Sequence, residues 1–202
     1  YEGLLIDAYG TLVHGSGAFA GAGEALQDLD RRGRRWLMLT NDASKLATRA
    51  ADRYQGLGLP ITPERILNPL MLLGDCLERQ GLVGARCRVL GPDDSAAYVT
   101  QAGGRVVPPD DPEFDALVVC DESGYPFLET LDGTLTDLAH LFAAGRKPAL
   151  ILPNPDLTFT RDETRLGFAA GTLAQMLSNG LQARFPDRPP GAFAFEPLGK
   201  PH

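Results

Sequence analysis

The stretch Leu4-Leu5-Ile6-Asp7-Ala8-Tyr9-Gly10-Thr11-Leu12 decides how the chain is read. Three apolar residues deliver one carboxylate, Asp7, at the end of a short run of strand character, and Gly10 permits a tight turn directly behind it. Backbone N–H groups of such a turn point inward around the carboxylate. In an open α/β sheet, the carboxyl end of a strand is where ligands bind. A second apolar run, Trp36 to Leu39, ends in Thr40-Asn41-Asp42 and offers a hydroxyl and an amide at the same edge. Gly199-Lys200-Pro201 sets a lysine behind a glycine turn. A carboxylate nucleophile, a hydroxyl and a compact cation suit attack on an electrophile that carries negative charge, such as a phosphoryl group.

Outward from that stretch, apolar runs alternate with helical patterns. Strands are expected at Leu4 to Ile6, Trp36 to Leu39 and Ile66-Leu67, with helices at Gly21 to Arg32 and Ser44 to Leu57. From Leu70 a second region begins with a helix to Gln80, a strand from Arg88 to Leu90, a helix from Ser95 to Ala102 and a short strand at Val106-Val107. It continues with a strand at Ala116 to Cys120, a long helix from Leu128 to Ala144, an apolar run at Ala149 to Leu152, a loop through Thr160, and a helix near Gly171 to Asn179. The expected fold is therefore α/β: a parallel-sheet core formed by residues 1–69 and 180–202, with a second α/β unit, residues 70–179, inserted into it. Gly180 to Pro190 reads as the return connection.

Composition narrows the function. The 202 residues are 44% hydrophobic and 22% charged, as expected of a globular chain. A net charge of -7 speaks against a nucleic-acid backbone or an anionic membrane as the main partner, while a small anionic ligand remains allowed. No apolar run approaches the ~18 residues of a membrane span and no charged-then-apolar leader is present, so the cytoplasm is the expected location. Cys76, Cys87 and Cys120 are odd in number and widely spaced, which points to a reducing compartment and ordinary buried packing. Only Lys45, Lys147 and Lys200 are lysine, against sixteen arginines, which singles each of them out. His14, His140 and His202 have no ligand spacing, and the glycines from Gly15 to Gly23 do not make a dinucleotide fingerprint.

Taken together, the motifs resemble those of the haloacid dehalogenase (HAD) superfamily. Asp7-Ala8-Tyr9-Gly10-Thr11 resembles its first motif, Thr40-Asn41 its second and Gly199-Lys200-Pro201 its third; Asn154-Pro155-Asp156-Leu157 and Gly171-Thr172-Leu173 resemble the branch of nitrophenylphosphatases and NagD, subfamily IIA. In that branch a large α/β cap follows the second motif. Thr40 lies 33 residues after Asp7, too close for an intervening cap, whereas 160 residues separate Thr40 from Lys200.

The resemblance implies a HAD-like hydrolase, a magnesium-dependent phosphatase of a small phosphorylated metabolite. It makes Asp7 the nucleophile that forms an aspartyl-phosphate, Thr40 and Asn41 the holders of phosphoryl oxygens, and Lys200 the neutralising cation. Asp7 and the backbone carbonyl of Tyr9 would hold Mg2+, Gly10 would line the phosphoryl site, and Asn154 to Asp156 would lie near the substrate. A homodimer is the assembly it implies. Tyr9 stands where the phosphatases carry an acid/base aspartate. A phenol, with an ordinary pKa near 10, predicts weak activity on alkyl esters and reads as a packed loop aromatic. The family's fourth motif, an acidic metal ligand, is expected after Lys200, where only Pro201 and His202 remain, so the chain reads as a fragment. Two other functions are carried alongside: a HAD scaffold that binds a ligand or partner without turnover, and a 2-haloacid dehalogenase, whose first motif Asp7 to Thr11 resembles. Asp93 and Asp94 read as a solvated helix start, and Leu131-Asp132-Gly133-Thr134-Leu135 as helix punctuation.

Overall fold

Two parallel sheets meet at one cleft in the computed structural model, which describes residues 2–162 and 164–201. The first sheet is built from β1 (Leu4–Asp7), followed by a hairpin of β2 (Val13–His14) and β3 (Gly17–Ala18), then α1 (Ala22–Arg31), β4 (Trp36–Leu39), α2 (Ala47–Gly56) and β5 (Ile66–Leu67). Its order is β1-β4-β5 with all strands parallel. Trp36 and Met38 alternate onto one face and pack with Leu26, Tyr54, Leu59 and Ile66. The other face is barely covered, and Leu5 on β1 is 65% exposed.

The second sheet follows a 3₁₀ turn at Pro69–Leu72 and comprises α3 (Leu73–Arg79), β6 (Arg86–Leu90), α4 (Asp93–Gln101), β7 (Arg105–Val106), β8 (Ala116–Val119), α5 (Phe127–Ala143) and β9 (Ala149–Leu152). A hairpin of β10 (Thr158–Thr160) and β11 (Leu166–Phe168), the helix α6 (Ala170–Arg184) and β12 (Glu196–Pro197) complete it. The strand order is β12-β9-β8-β6-β7. β8 is an unbroken apolar run, Ala-Leu-Val-Val, because helices cover both faces. Val118 and Ala116 pack with Leu73, Leu77 and Val99 on one side; Leu117 and Val119 pack with Leu138, Leu173 and Leu177 on the other. Each leucine so buried contributes about 1.5–3 kcal/mol relative to exposure. Arg88, 2% exposed, is stabilised by Asp137 at 2.7 Å and the Asp111 carbonyl at 2.6 Å, over the Phe114 ring.

The α/β class and the parallel sheets are as the sequence indicates. Differences are local. Thr158–Thr160, read as loop, is half of a hairpin, and α6 runs on to Arg184 rather than ending near Asn179. Glu196–Pro197, in the segment assigned to the first unit, pairs instead with β9 of the second sheet. Asp93 and Asp94 do open α4, but Asp94 is only 5% exposed. It accepts the Leu46 N–H at 3.1 Å and pairs with Arg49 at 3.0 Å, joining α4 to the segment that leads into α2. Leu131 and Thr134 are buried within α5, where Gly133 is exposed. The three cysteines are free and buried. His202 lies outside the described residues, and no helix among them is long and apolar enough to cross a membrane.

Candidate active site

The carboxyl ends of β1 and β4 face the loops that follow β8 and β9, enclosing a cavity of about 570 Å³. Asp7 sits on its floor, half-exposed. The Ala8 N–H (2.8 Å) and the Lys200 ammonium (2.5 Å) both reach its Oδ1, which leaves Oδ2 open to the cavity. Lys200 also points Nζ at the Leu39 carbonyl, 3.4 Å away. The turn after Asp7 is tight, with Gly10 at φ 84°. Its other N–H groups turn back on the chain: Leu12 and Val13 donate to the Ala8 carbonyl and Gly10 to the Val13 carbonyl. Gly10 does not line the cavity, so its role is to make the turn rather than to bind there.

Thr40 is buried, and its Oγ1 accepts the Asp42 N–H at 3.1 Å, which leaves the hydroxyl proton to point elsewhere. Asn41 behaves differently from a group that holds phosphoryl oxygens. Its Nδ2 donates to Asp156 Oδ1 (2.9 Å) and to the Lys200 carbonyl (3.1 Å), while its Oδ1 accepts the Lys200 N–H (2.8 Å). The amide is fully engaged as a clamp on Lys200 and Asp156. Asn154 supports the same arrangement by accepting the Asp156 N–H at 3.1 Å. Glycine is required on both sides of the clamp. A Cβ on Gly199 would stand 2.6 Å from Asn41 Oδ1 and from the Pro153 carbonyl, and one on Gly171 2.3 Å from the Pro155 carbonyl.

Tyr9 lines the cavity but packs into the first core, with the Arg53 guanidinium 5.7 Å from its ring centre. Burial, aided by the negative charge of Asp42 and opposed by Arg53, pushes its hydroxyl up to about 12. The phenol therefore keeps its proton and cannot act as a base at neutral pH.

The wall opposite Asp7 is acidic and hydroxylic: Asp121, Glu122, Ser123, Thr158 and Thr160. None of these was singled out from the sequence. The signal was present, because Asp121 and Glu122 follow the apolar run Ala116–Cys120 as Asp7 follows Leu4–Ile6. Burial raises both carboxyls, that of Glu122 to about 7. Lys45 also lines the cavity, bonded to Ser44 Oγ at 2.8 Å and facing Asp42. The two halves touch at Gly15, whose N–H donates to the Thr160 carbonyl at 3.1 Å and whose Cα lies so close to Arg161 that no side chain fits. Among the described residues no three His, Cys, Asp or Glu side chains group as metal ligands. Asp7, whose Oδ2 is open to the cavity, is a hard oxygen donor there.

A model of the haloacid dehalogenase-like hydrolase family matches residues 4–105, half of the chain, and the protein belongs to that family. It is 23% identical over 190 residues to an acid sugar phosphatase of Staphylococcus aureus, covering 94% of this chain and 70% of that one. A Cytophaga hutchinsonii structure described as a possible sugar phosphatase of the HAD superfamily superposes with a TM-score of 0.80 at 28% identity, over 100% of this chain and 68% of that one. A glycerol phosphate phosphatase of Mycobacterium tuberculosis, in complex with magnesium, gives a TM-score of 0.70 at 26% identity, over 90% and 52%.

Proposed function

We propose that the protein hydrolyses small phosphorylated metabolites through an aspartyl-phosphate on Asp7, with residues 70–179 and β12 forming a cap over the site. The observation that carries this reading is the arrangement at Asp7. One carboxylate oxygen is fixed by the Ala8 N–H and Lys200, and the other is free toward a cavity that also holds Thr40. Oδ2 attacks the phosphorus, the bond from phosphorus to the leaving oxygen breaks, and Lys200 balances the charge on nucleophile and phosphoryl group. The Thr40 hydroxyl donates to a phosphoryl oxygen. Water then attacks the acyl phosphate, releasing phosphate and restoring Asp7.

Magnesium fits the floor, since it favours one or two protein oxygens completed by water and substrate phosphate, which Asp7 and the Tyr9 carbonyl would supply. Bound there, it would neutralise phosphoryl charge. A small phosphorylated substrate suits the cavity volume. The 2-haloacid reading needs a helical cap between Asp7 and Thr40, and that interval holds one short hairpin, α1 and β4. Phosphate release from a panel of esters, with and without magnesium, tests the proposal. The expected result is turnover that Asp7→Asn abolishes, and none on nitrophenyl or acyl phosphates overturns it.

A further inference from the structure

Breaking an alkyl phosphate ester requires a proton for the leaving oxygen, and Tyr9 brings no carboxyl to the place beside Asp7. Among the described residues, five carboxyl groups line the cavity. Four already accept hydrogen bonds. Asp7 is held by the Ala8 N–H and Lys200, Asp42 by the Ser44 N–H (2.9 Å) and O–H (2.5 Å), Asp121 by the Ser123 N–H (3.0 Å) and O–H (2.5 Å), and Asp156 by Asn41. The fifth, Glu122, is half-buried on the loop after β8 and has no donor from another residue among those described. That loop lines the same cavity as Asp7, so a leaving group that extends from the phosphoryl position toward the second sheet meets it.

We propose that Glu122 is the acid and base of this site, supplying from the opposite wall the proton transfer that Tyr9 cannot; the proposal rests on the hydrolase reading above. In the first step Asp7 Oδ2 bonds to phosphorus, the leaving oxygen departs and takes the Glu122 proton. In the second, water attacks the aspartyl-phosphate and gives its proton to the Glu122 carboxylate, and Asp7 and the protonated Glu122 are both restored. The charges around Glu122 agree with this cycle. Burial first, then Asp121 and Asp42, raise it to about 7, opposed by its own backbone N–H and by the charge of Arg161. The cavity cations Lys200 and Lys45 are engaged with Asp7 and Ser44. Glu122 thus still carries its proton near neutral pH, where an ordinary glutamate has lost it.

The test compares kcat/KM, which reports transfer to Asp7, for the protein and its Glu122→Gln and Glu122→Asp variants. It uses nitrophenyl phosphate, whose leaving group needs no proton, and glycerol phosphate, whose leaving group does, each across pH, with circular dichroism as the check on folding. The expected result is a loss of about 10²- to 10⁴-fold for Glu122→Gln on glycerol phosphate, a much smaller loss on nitrophenyl phosphate, and partial recovery in Glu122→Asp. The fall in wild-type activity above about pH 7 on glycerol phosphate should disappear in the glutamine variant. An equal loss on both esters, or a rise in KM alone, assigns Glu122 to substrate binding and overturns the proposal while the hydrolase reading stands. No phosphate release by the wild type from either ester defeats both.

Discussion

Asn41→Ala removes three hydrogen bonds at once: two donated by Nδ2, to Asp156 and the Lys200 carbonyl, and one accepted from the Lys200 N–H. Asn41 is 5% exposed, whereas Asp156 is exposed and Lys200 half-buried, so water recovers part of the loss. An unmade bond to a buried partner costs about 1–3 kcal/mol, more when the partner is charged. With one of the three hydrogen bonds forfeited outright and two partly replaced by water, the destabilisation is about 2–4 kcal/mol. For a chain of this size that lowers Tm by roughly 4–16 °C. The larger effect falls on chemistry. Asn41 holds the Lys200 backbone from both its N–H and its carbonyl, and a ~1 Å displacement of a positioned group costs about 10²-fold in kcat/KM. Asn41→Asp separates the causes. It keeps the acceptor for the Lys200 N–H but places a second carboxylate against Asp156 at 2.9 Å, and should lose at least as much as alanine. Thermal unfolding by circular dichroism and phosphate release from nitrophenyl phosphate measure both effects. Wild-type Tm and kcat/KM in Asn41→Ala would refute the clamp.

Tyr9→Asp places a carboxyl two residues after the nucleophile and should raise kcat/KM on glycerol phosphate by up to about 10²-fold; unchanged activity there would show that the phenol is not limiting. Gly199→Ala brings a Cβ to 2.6 Å from Asn41 Oδ1 and the Pro153 carbonyl, so it should cost about 1–3 kcal/mol in urea unfolding and displace Lys200. Glu122 titrates near 4.5 when unfolded and about 7 when folded, so the folded state binds the extra proton between those values. Its contribution to stability is present below about pH 4.5 and is lost as pH rises to about 7. In thermal melts across that window, Glu122→Gln should abolish this component and leave the variant more stable than the wild type above pH 7.

How much of this was legible in the sequence depends on whether a residue acts through its neighbours in the chain or across the fold. β4, β5 and β9 fall where their apolar runs place them, because each is an uninterrupted apolar stretch in the chain. The β10–β11 hairpin does not, since its strands are three residues long and mixed in character. Asp7, Thr40 and Lys200 converge as expected. Asn41 lines the same cavity, yet its amide is spent on residues 115 and 159 positions away, which no local pattern reveals. Gly15 failed as part of a nucleotide fingerprint and proved to be a contact point between the two halves. Glu122 follows the strand rule that identified Asp7 and was readable; its raised pKa comes first from burial, then from the adjacent Asp121, and only in smaller part from Asp42, far off in sequence.

Every role proposed for the cavity depends on Asp7 as a nucleophile. The direct measurement is to incubate the protein with nitrophenyl phosphate and magnesium, quench it in acid, and map any phosphoryl group by peptide mass spectrometry. One phosphoryl group is expected on the peptide containing Asp7, lost on mild alkaline treatment as an acyl phosphate should be, and absent from Asp7→Asn. Turnover in which no phosphoryl group is trapped on Asp7, or in which Asp7→Asn keeps wild-type rates, would contradict it.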